Sequence, residues 1–266
     1  MIQNVTSLEM PVDEEFRILK NHLSHGKGKR ICIVTGTHGD ELEGQYVCYL
    51  LNRMVREHPE RLSGTIDIYP ALNPLGIDSM QRGVPAFDLD MNRLFPGNSE
   101  GNMTEYLAAE IMKDVSGSSL VVDIHASNIY LTEIPQIRIN ELHEDTLVPL
   151  AKEANVDFIW VHGASTVLES TFAHSLNSIG TPVLVVEMGV GMRLTKEYGD
   201  QMVEGILNLM KTLGIWQGEV GKIKKPMISK DPDDVSYLNA TASGLFVPDV
   251  KHGKRLAKGE LIGKIV

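Results

Sequence analysis

The fold is decided by the segment V-T-G-T-H-G-D-E-L-E-G, which covers residues 34–44. An apolar, β-branched run over residues 31–34 leads into a turn broken by glycines, and a helical pattern of apolar residues begins at Gly44. A buried strand, a glycine turn and a helix in this order are typical of the first unit of an α/β sheet. The segment therefore predicts a strand–turn–helix unit with polar side chains in its turn.

Two of these polar side chains, His38 and Glu41, are candidate metal ligands. A spacing of three residues places both on the same face of a helical turn. One imidazole and one carboxylate suit Zn²⁺, which uses three protein ligands and one open position in catalytic sites. A single His–Glu pair is far more often a solvated loop pair than a metal site, so the metal-site hypothesis depends on further ligands.

Strand and helix patterns alternate along most of the chain. This alternation predicts an α/β fold with a mostly parallel mixed sheet flanked by helices. Residues 1–28 are predicted to form a short edge element and a loop, and residues 76–101 a long irregular segment. The predicted strands cover residues 30–35, 65–72, 118–125, 135–139, 157–161 and 182–187, and the predicted helices residues 44–58, 102–114, 143–154, 170–179 and 195–213.

The pattern changes after about residue 220. Helical periodicity stops there, and short β-like pieces separated by Gly and Pro turns continue to Val266. We therefore predict two domains, an α/β domain over residues 1–218 and a small β domain over residues 219–266.

Composition and charge exclude several classes of function. The net charge of −10 argues against a nucleic acid or an anionic membrane as a partner. No apolar run approaches the roughly 20 residues of a membrane span, and the acidic start of the chain does not resemble a signal peptide. Cys32 and Cys48 lie at predicted core positions and are expected to be reduced thiols, so we expect a cytoplasmic protein.

Three ionisable residues, His38, His125 and Glu187, stand at the carboxyl ends of apolar strands. Ligands of open α/β sheets bind at this edge, and an unpaired charge after an apolar strand is costly. His38, Glu41 and His125 would together supply three metal ligands. Glu187 then remains as an unligated carboxylate that can accept a proton from water and return it to a leaving amine.

At this point the sequence resembles a known family. The motifs H-G-D-E, D-M-N-R, D-I-H and V-E-M-G occur in that order, and residues 30–266 are similar to the succinylglutamate desuccinylase/aspartoacylase branch of the zinc carboxypeptidase superfamily. The resemblance implies a zinc-carboxypeptidase-like fold and one Zn²⁺ per chain on His38, Glu41 and His125. It also implies that Glu187 is the general base and acid.

The same resemblance implies roles for four residues in the segment between the second and third predicted strands. Asp90 would hydrogen-bond the first zinc histidine and orient it. Asn92 and Arg93 would bind the substrate carboxylate, for which a planar guanidinium is suited. Arg82 would polarise the scissile carbonyl and stabilise the oxyanion, with a solvated loop arginine as the alternative.

The sequence departs from the family pattern shortly before the catalytic glutamate. Aspartoacylase-like members carry a further substrate-binding arginine there, whereas residues 171–181 contain none and offer His174 and Asn177. Arg138 is a candidate substitute as a substrate-binding residue, with a structural ion pair as the alternative. The departure concerns the identity of the substrate and leaves the hydrolytic chemistry as it is.

Three further residues lie outside the family roles. Asp123 shares a strand face with His125, so it either supports that histidine or caps a loop. His143 and His162 belong to none of the motifs and are expected to be structural or exposed.

The end of the chain resembles one half of a biotinyl/lipoyl-like barrel-sandwich, with turns at Gly253 and Gly259. It has no lysine in the turn setting that lipoyl or biotin attachment uses, so we expect a structural role. Family members continue with a second half, and therefore either the sequence is truncated at Val266 or another chain completes the domain. An incomplete barrel would leave an unpaired edge that favours association into a homo-oligomer.

The favoured function is a zinc-dependent amide hydrolase that removes an acyl group from an N-acyl amino acid or a related small amide. One alternative is a zinc carboxypeptidase acting on short peptides, which requires a more open cleft. Another is a non-catalytic zinc- or ligand-binding module, which has no need of the base Glu187. Zinc itself is implied by the resemblance, because two histidines and a glutamate also suit other divalent metals.

Overall fold

The computed structural model describes residues 1–85, 87–164 and 168–266. Strands and helices alternate in it as the sequence predicts. The strands are β1 (Ile2–Glu9), β2 (Glu15–His25), β3 (Arg30–Thr35), β4 (Gly64–Tyr69), β5 (Leu120–His125), β6 (Glu133–Asn140), β7 (Phe158–His162), β8 (Val183–Gly189), β9 (Met227–Ser229), β10 (Phe246–Pro248) and β11 (Gly263–Ile265). The α-helices are α1 (Glu43–Glu57), α2 (Pro74–Ser79), α3 (Met103–Val115), α4 (Glu144–Ala151), α5 (Phe172–Ser178) and α6 (Lys196–Thr212).

Nine of these strands form one mixed sheet in the order β1-β2-β4-β3-β5-β8-β6-β7-β9. Five of its eight strand pairings are parallel, among them the central run β4-β3-β5-β8. The pairings β1-β2, β2-β4 and β8-β6 are antiparallel. The predicted fold class, a mostly parallel mixed sheet flanked by helices, is therefore confirmed.

The central strands are buried on both faces, which explains their continuous apolar runs. Side chains of a strand alternate between faces, so Ile31 and Ile33 pack in a core on one side of the sheet and Cys32 and Val34 in a second core on the other. Helices α1 and α6 contribute to the first core, and α3 and α5 to the second. The sheet is thus covered by helices on both sides.

The amino-terminal segment differs from its prediction. Residues 1–28 contain two paired strands, β1 and β2, where the sequence indicates a short edge element and a loop. Phe16, Ile18 and Lys20 are buried at alternate positions of β2, which pairs with β4 and extends the sheet. The period-two pattern is present in the sequence, but the charged Lys20 occupies one of its buried positions and hides it.

The predicted irregular segment over residues 76–101 is mostly confirmed. Helix α2 extends into it, and the side chain of Asn73 accepts a hydrogen bond from the backbone N–H of Gly76 at the helix start. A short 3₁₀ turn covers Met91–Arg93. The rest of the segment consists of turns and loops that bring polar side chains to the carboxyl edge of the central strands.

The carboxyl-terminal part of the chain contains two kinds of β structure. Strand β9 pairs in parallel with β7, so the main sheet takes a strand from residues beyond 218. Strands β10 and β11 form a separate antiparallel pair, consistent with the predicted small β unit. The division into domains at residue 218 stays a prediction.

Both cysteines are free and buried. Burial raises the pKa of the Cys32 thiol to about 11 and that of Cys48 to about 12, so both are protonated at neutral pH. They are core residues, as the sequence indicates. Among the residues that the structure describes, no helix combines the length and apolar character needed to cross a lipid bilayer.

The start of α3 gives a test of the fold. The Asn102 side chain accepts hydrogen bonds from the backbone N–H groups of Thr104 and Glu105, and the Glu105 carboxylate accepts one from the backbone of Asn102. Replacing Asn102 with Ala is therefore expected to lower the free energy of unfolding by about 1 kcal/mol, measured by chemical denaturation. Asn102→Ser keeps an acceptor oxygen and should stay within about 0.5 kcal/mol of the wild type. An equal loss in both variants would contradict the capping account.

Candidate active site

Three buried side chains meet at the carboxyl edge of the central strands. His38 and Glu41 lie in the turn after β3, and His125 is the last residue of β5, the neighbouring parallel strand. His38 Nδ1 is 2.6 Å from Glu41 Oε1, and His125 Nδ1 is 2.9 Å from Glu41 Oε2. One ligand atom from each residue lies within 4.8 Å of the others, so the three could hold a metal ion.

The turn reaches this position because it contains glycines. Gly36 has a φ of +68°, a conformation that favours glycine. A Cβ atom on Gly39 would lie 1.9 Å from the carbonyl carbon of Gly76, so a side chain there would push the turn away from the following loop. His38 and Glu41 therefore meet in a turn that precedes α1, and not on the helix itself.

The second nitrogen of each imidazole is held by another carboxylate. His38 Nε2 lies 3.0 Å from Asp90 Oδ1, and His125 Nε2 lies 3.1 Å from Asp123 Oδ2. Histidine ligands of metals generally have such a partner, which fixes the tautomer and the orientation of the ring. Both Nδ1 atoms consequently face Glu41, as ligands of one ion would.

The pKa shifts of the two histidines and of Glu41 favour a cation between these three side chains. Burial alone would lower the pKa of both imidazoles, but neighbouring carboxylates outweigh it and raise the pKa of His38 and, more strongly, of His125. Burial alone would raise the pKa of Glu41, but the two histidines lower it to about 2. The site therefore favours positive charge at its centre.

The formal charges around the imidazoles favour a cation. Glu41, Asp90 and Asp123 bring three negative charges, the guanidinium of Arg82 contacts the first two, and that of Arg93 lies 4.0 Å from Asp90. With both imidazoles neutral, a net negative charge remains, and a cation would balance it. Two nitrogens with one carboxylate are a donor set that divalent first-row metals accept.

Glu187 lies beside these ligands on the next strand. Strands β5 and β8 are parallel, and His125 and Glu187 are partners in their register. Burial raises the pKa of Glu187 to about 7, although His125 and Arg138 act in the opposite direction. A carboxyl group with a pKa near neutrality can both accept and release a proton at pH 7.

The predicted loop residues surround the same point. Arg82 donates to Glu41 Oε1 at 3.3 Å and to Asp90 Oδ2 at 3.2 Å, and its side chain is 46% exposed. The Oδ1 atom of Asn92 accepts a hydrogen bond from the backbone of Phe172, so Asn92 can offer a ligand the donors of its amide nitrogen. The guanidinium of Arg93 is partly exposed and lies 4.0 Å from Asp90.

Arg138 makes ion pairs inside the site. It lies on β6, 2.5 Å from Glu133 Oε1 and 3.6 Å from Glu187 Oε1, with its guanidinium over the ring of Trp160. These contacts correspond to the ion-pair alternative for this residue. Sequence analysis does not identify Glu133. Its position depends on the antiparallel pairing of β6 with β8, and the alternation of strands and helices along the chain does not predict that pairing.

A cavity of about 710 Å³ contains these groups, within the roughly 300–1,000 Å³ typical of small-molecule sites. Asp90 contacts His38 Nε2 and is not among the residues that line the cavity. The cavity is lined by all the other predicted site residues, namely His38, Glu41, Arg82, Asn92, Arg93, His125, Arg138 and Glu187.

Two histidines are placed differently from the expectation. His143 and His162 line the cavity, where the sequence suggests structural or exposed positions. His162 reaches the wall because it is the register partner of Asn140, another lining residue, in the parallel pair β6-β7. Helix α5 contributes His174 and Asn177 to the wall. No local motif marks these residues, since their common location follows from the sheet order.

The chain is similar to known proteins both in sequence and in structure. The sequence profile of the succinylglutamate desuccinylase/aspartoacylase catalytic domain matches residues 27–213. The chain is 27% identical over 252 residues to an N-alpha-acetyl-L-2,4-diaminobutyric acid deacetylase of Halomonas elongata, covering 91% of this chain and 72% of that protein.

Two solved structures share its fold. A succinylglutamate desuccinylase from Silicibacter sp. TM1040 superposes with a TM-score of 0.82 at 22% identity, over 100% of this chain and 82% of that one. A metallo-carboxypeptidase from Burkholderia cenocepacia superposes with a TM-score of 0.62 at 13% identity, over 80% of this chain and 64% of that one. The second likeness confirms the carboxypeptidase-like fold.

The contact between Asp90 and His38 predicts an effect on metal binding. Asp90→Ala removes the carboxylate that orients the His38 ring, so the affinity for Zn²⁺ is expected to fall by about 10–100-fold. Competition with a chelator of known affinity measures this change. Asp88→Asn, at an exposed position in the same loop, is the matched control and should bind Zn²⁺ like the wild type. Unchanged affinity in Asp90→Ala would contradict the orienting role.

Proposed function

Because the chain belongs to the succinylglutamate desuccinylase/aspartoacylase family, we propose that it is a zinc-dependent hydrolase that removes the acyl group from an N-acyl amino acid. The observation that carries this proposal is the convergence of two imidazoles and Glu41 beside the carboxyl group of Glu187. The imidazoles and Glu41 fit a metal ion, and Glu187 offers the proton transfer that amide hydrolysis requires.

His38, Glu41 and His125 would hold one Zn²⁺ per chain. The ion, when bound, lowers the pKa of water and polarises a carbonyl group, which makes hydrolysis of an amide accessible at neutral pH. Asp90 and Asp123 keep both imidazoles turned toward this position. The fixed orientation is a contribution of the protein, because it avoids reorganisation of the ligands during the reaction.

Glu187 is proposed to move the proton. As a carboxylate it accepts a proton from the attacking water, and as a carboxylic acid it returns that proton to the nitrogen of the leaving amine. Both roles require a position next to the metal ligands, and the register of β5 with β8 supplies it. Arg138, 3.6 Å away, favours the ionised form that starts the cycle.

Three residues of the segment between α2 and α3 are proposed to hold the substrate. Arg82 lies against Glu41 and offers a positive charge where the carbonyl oxygen becomes negative. Asn92 and Arg93 lie further along the same wall and provide amide and guanidinium donors for the carboxylate of the substrate. A carboxylate bound there would orient the scissile amide toward Glu187.

The proposal is tested by amine release from a panel of N-acyl amino acids. The panel combines acetyl, succinyl and longer acyl groups with acidic, neutral and diamino acids, and includes free and C-terminally blocked dipeptides. Zinc-loaded protein should release amine from one acyl class, and chelated protein should not. Release from free dipeptides alone would favour a carboxypeptidase, and no release from any compound with zinc bound would favour a binding module.

Glu187→Gln is expected to lower kcat by about 10²–10⁴-fold, because the amide cannot accept the proton. Steady-state kinetics on the best substrate measures the loss, and metal analysis should still find one Zn²⁺ per chain. Glu197→Gln, at an exposed position in α6, is the control and should retain wild-type kcat. Activity of Glu187→Gln near the wild-type level would contradict its role as general base.

The same carboxyl group predicts a pH dependence. Glu187 must be ionised to accept a proton, so kcat/KM should fall as the pH drops through its pKa. The positive charge of Arg138 lowers that pKa, so Arg138→Gln should move the acidic limb of the pH profile to higher pH. Arg193→Gln, an exposed arginine, serves as the control and should leave the limb in place. A shift to lower pH in Arg138→Gln would contradict this assignment.

A further inference from the structure

Asn73 lies between two parts of the active site that come from different places in the sequence. It immediately precedes α2 and is buried, with 1% of its surface exposed. One part is the turn of residues 36–41, which we call the ligand turn, and the backbone N–H of Asn73 donates to the carbonyl of Gly36 in it at 2.8 Å. The other part is the loop of residues 80–84, which carries Arg82 and which we call the arginine loop.

The side chain of Asn73 makes two hydrogen bonds to backbone groups. Its Oδ1 atom accepts one from the N–H of Gly76 at 2.9 Å, which caps the start of α2. Its Nδ2 atom donates the other to the carbonyl of Gly83 at 3.0 Å, one residue after Arg82. An amide carries its acceptor and its donors on separate atoms, and this pair of contacts uses both.

The arginine loop is also held by the ligand turn itself. The backbone N–H of Gly39 donates to the carbonyl of Gln81 at 3.0 Å. The loop is thus fixed at Gln81 by the ligand turn and at Gly83 by the Asn73 amide. Arg82 lies between these two points, so its backbone has a defined place relative to the ligand turn.

The guanidinium of Arg82 depends on this placement of its backbone. Its side chain is 46% exposed, and it contacts Glu41 at 3.3 Å and Asp90 at 3.2 Å. Exposed ion pairs hold a long side chain only weakly. In the proposed function, on which this step rests, the guanidinium stabilises the negative charge of the carbonyl oxygen, and such stabilisation requires an accurate position.

We infer that Asn73 is a positioning residue for Arg82. Its amide sets the distance between the arginine loop and the ligand turn, and therefore between the guanidinium and the metal site. Asn73 is not among the described residues that line the cavity, so it acts through Arg82 and not on the substrate. Loss of its Nδ2 donor should weaken the stabilisation of the transition state and leave substrate binding by Asn92 and Arg93 unchanged.

Asn73→Ser tests this role, because serine keeps an oxygen for the helix cap and lacks the amide donor. With saturating Zn²⁺ and the best N-acyl amino acid as substrate, kcat should fall about 10-fold or more and KM should stay within about 2-fold of the wild type. Thermal melting and metal analysis check that the variant is folded and loaded. Asn102→Ser, the same substitution at the cap of α3, should keep wild-type kcat. Unchanged kcat in Asn73→Ser, or a rise in KM alone, would overturn the inference.

The same substitution in a chain without the Arg82 guanidinium separates positioning from general damage. Arg82→Gln alone is expected to lower kcat by about 10²-fold. Because Asn73 acts through Arg82, the double variant should be no more than about 2-fold slower than Arg82→Gln. Losses that multiply, or a wild-type kcat in Arg82→Gln, would overturn the inference and leave hydrolysis of N-acyl amino acids standing. No hydrolysis of any N-acyl amino acid by the wild type would remove both.

Gly76→Ala gives a second test that leaves residue 73 unchanged and decides the matter if Asn73→Ser does not fold. A Cβ atom on Gly76 would lie 2.3 Å from Asn73 Nδ2, so the amide must move, while alanine itself favours the helix. We expect kcat to fall about 10-fold, and to fall less than about 2-fold when Arg82 is already Gln. A wild-type kcat in Gly76→Ala would overturn the inference.

Discussion

Each oxygen of the Glu41 carboxylate contacts the Nδ1 atom of a different buried imidazole, and the rest of the site depends on this arrangement. Two imidazoles that share one carboxylate must be fixed from behind, and Asp90 and Asp123 do so. If both imidazoles are neutral, the cluster holds negative charge in a buried place, and a bound cation would balance it. The two imidazoles, Glu41 and the carboxylates behind them therefore fit a metal ion.

The sheet makes this arrangement possible. Because β3, β5 and β8 are adjacent and parallel, the residues at their carboxyl ends meet although they are far apart in the sequence. The antiparallel strand β6 then supplies Arg138 and Asn140 on the far side of Glu187. The candidate metal ligand His125, the proposed general base Glu187 and Arg138 thus lie on one face of the sheet.

The sequence predicts the parts of this site that are marked locally. Apolar strands that end in His125 or Glu187 are visible in the sequence, and parallel pairing brings their ends together without further information. Glu133, His143 and His162 could not be found in this way, because their places depend on which strand lies beside β8 and in which direction. The β1-β2 hairpin was hidden for a different reason, since Lys20 is buried in an ion pair with Asp114 and interrupts the apolar alternation.

The central claim is that one divalent ion binds between the Nδ1 atoms of the two histidines and Glu41. Crystals of zinc-loaded protein, with anomalous diffraction recorded on both sides of the zinc edge, test it most directly. The account predicts a single strong anomalous peak contacted by His38 Nδ1, His125 Nδ1 and Glu41, with Asp90 and Asp123 still on the Nε2 atoms. A zinc-loaded crystal with no peak there, or with the ion bound to other residues, would contradict it.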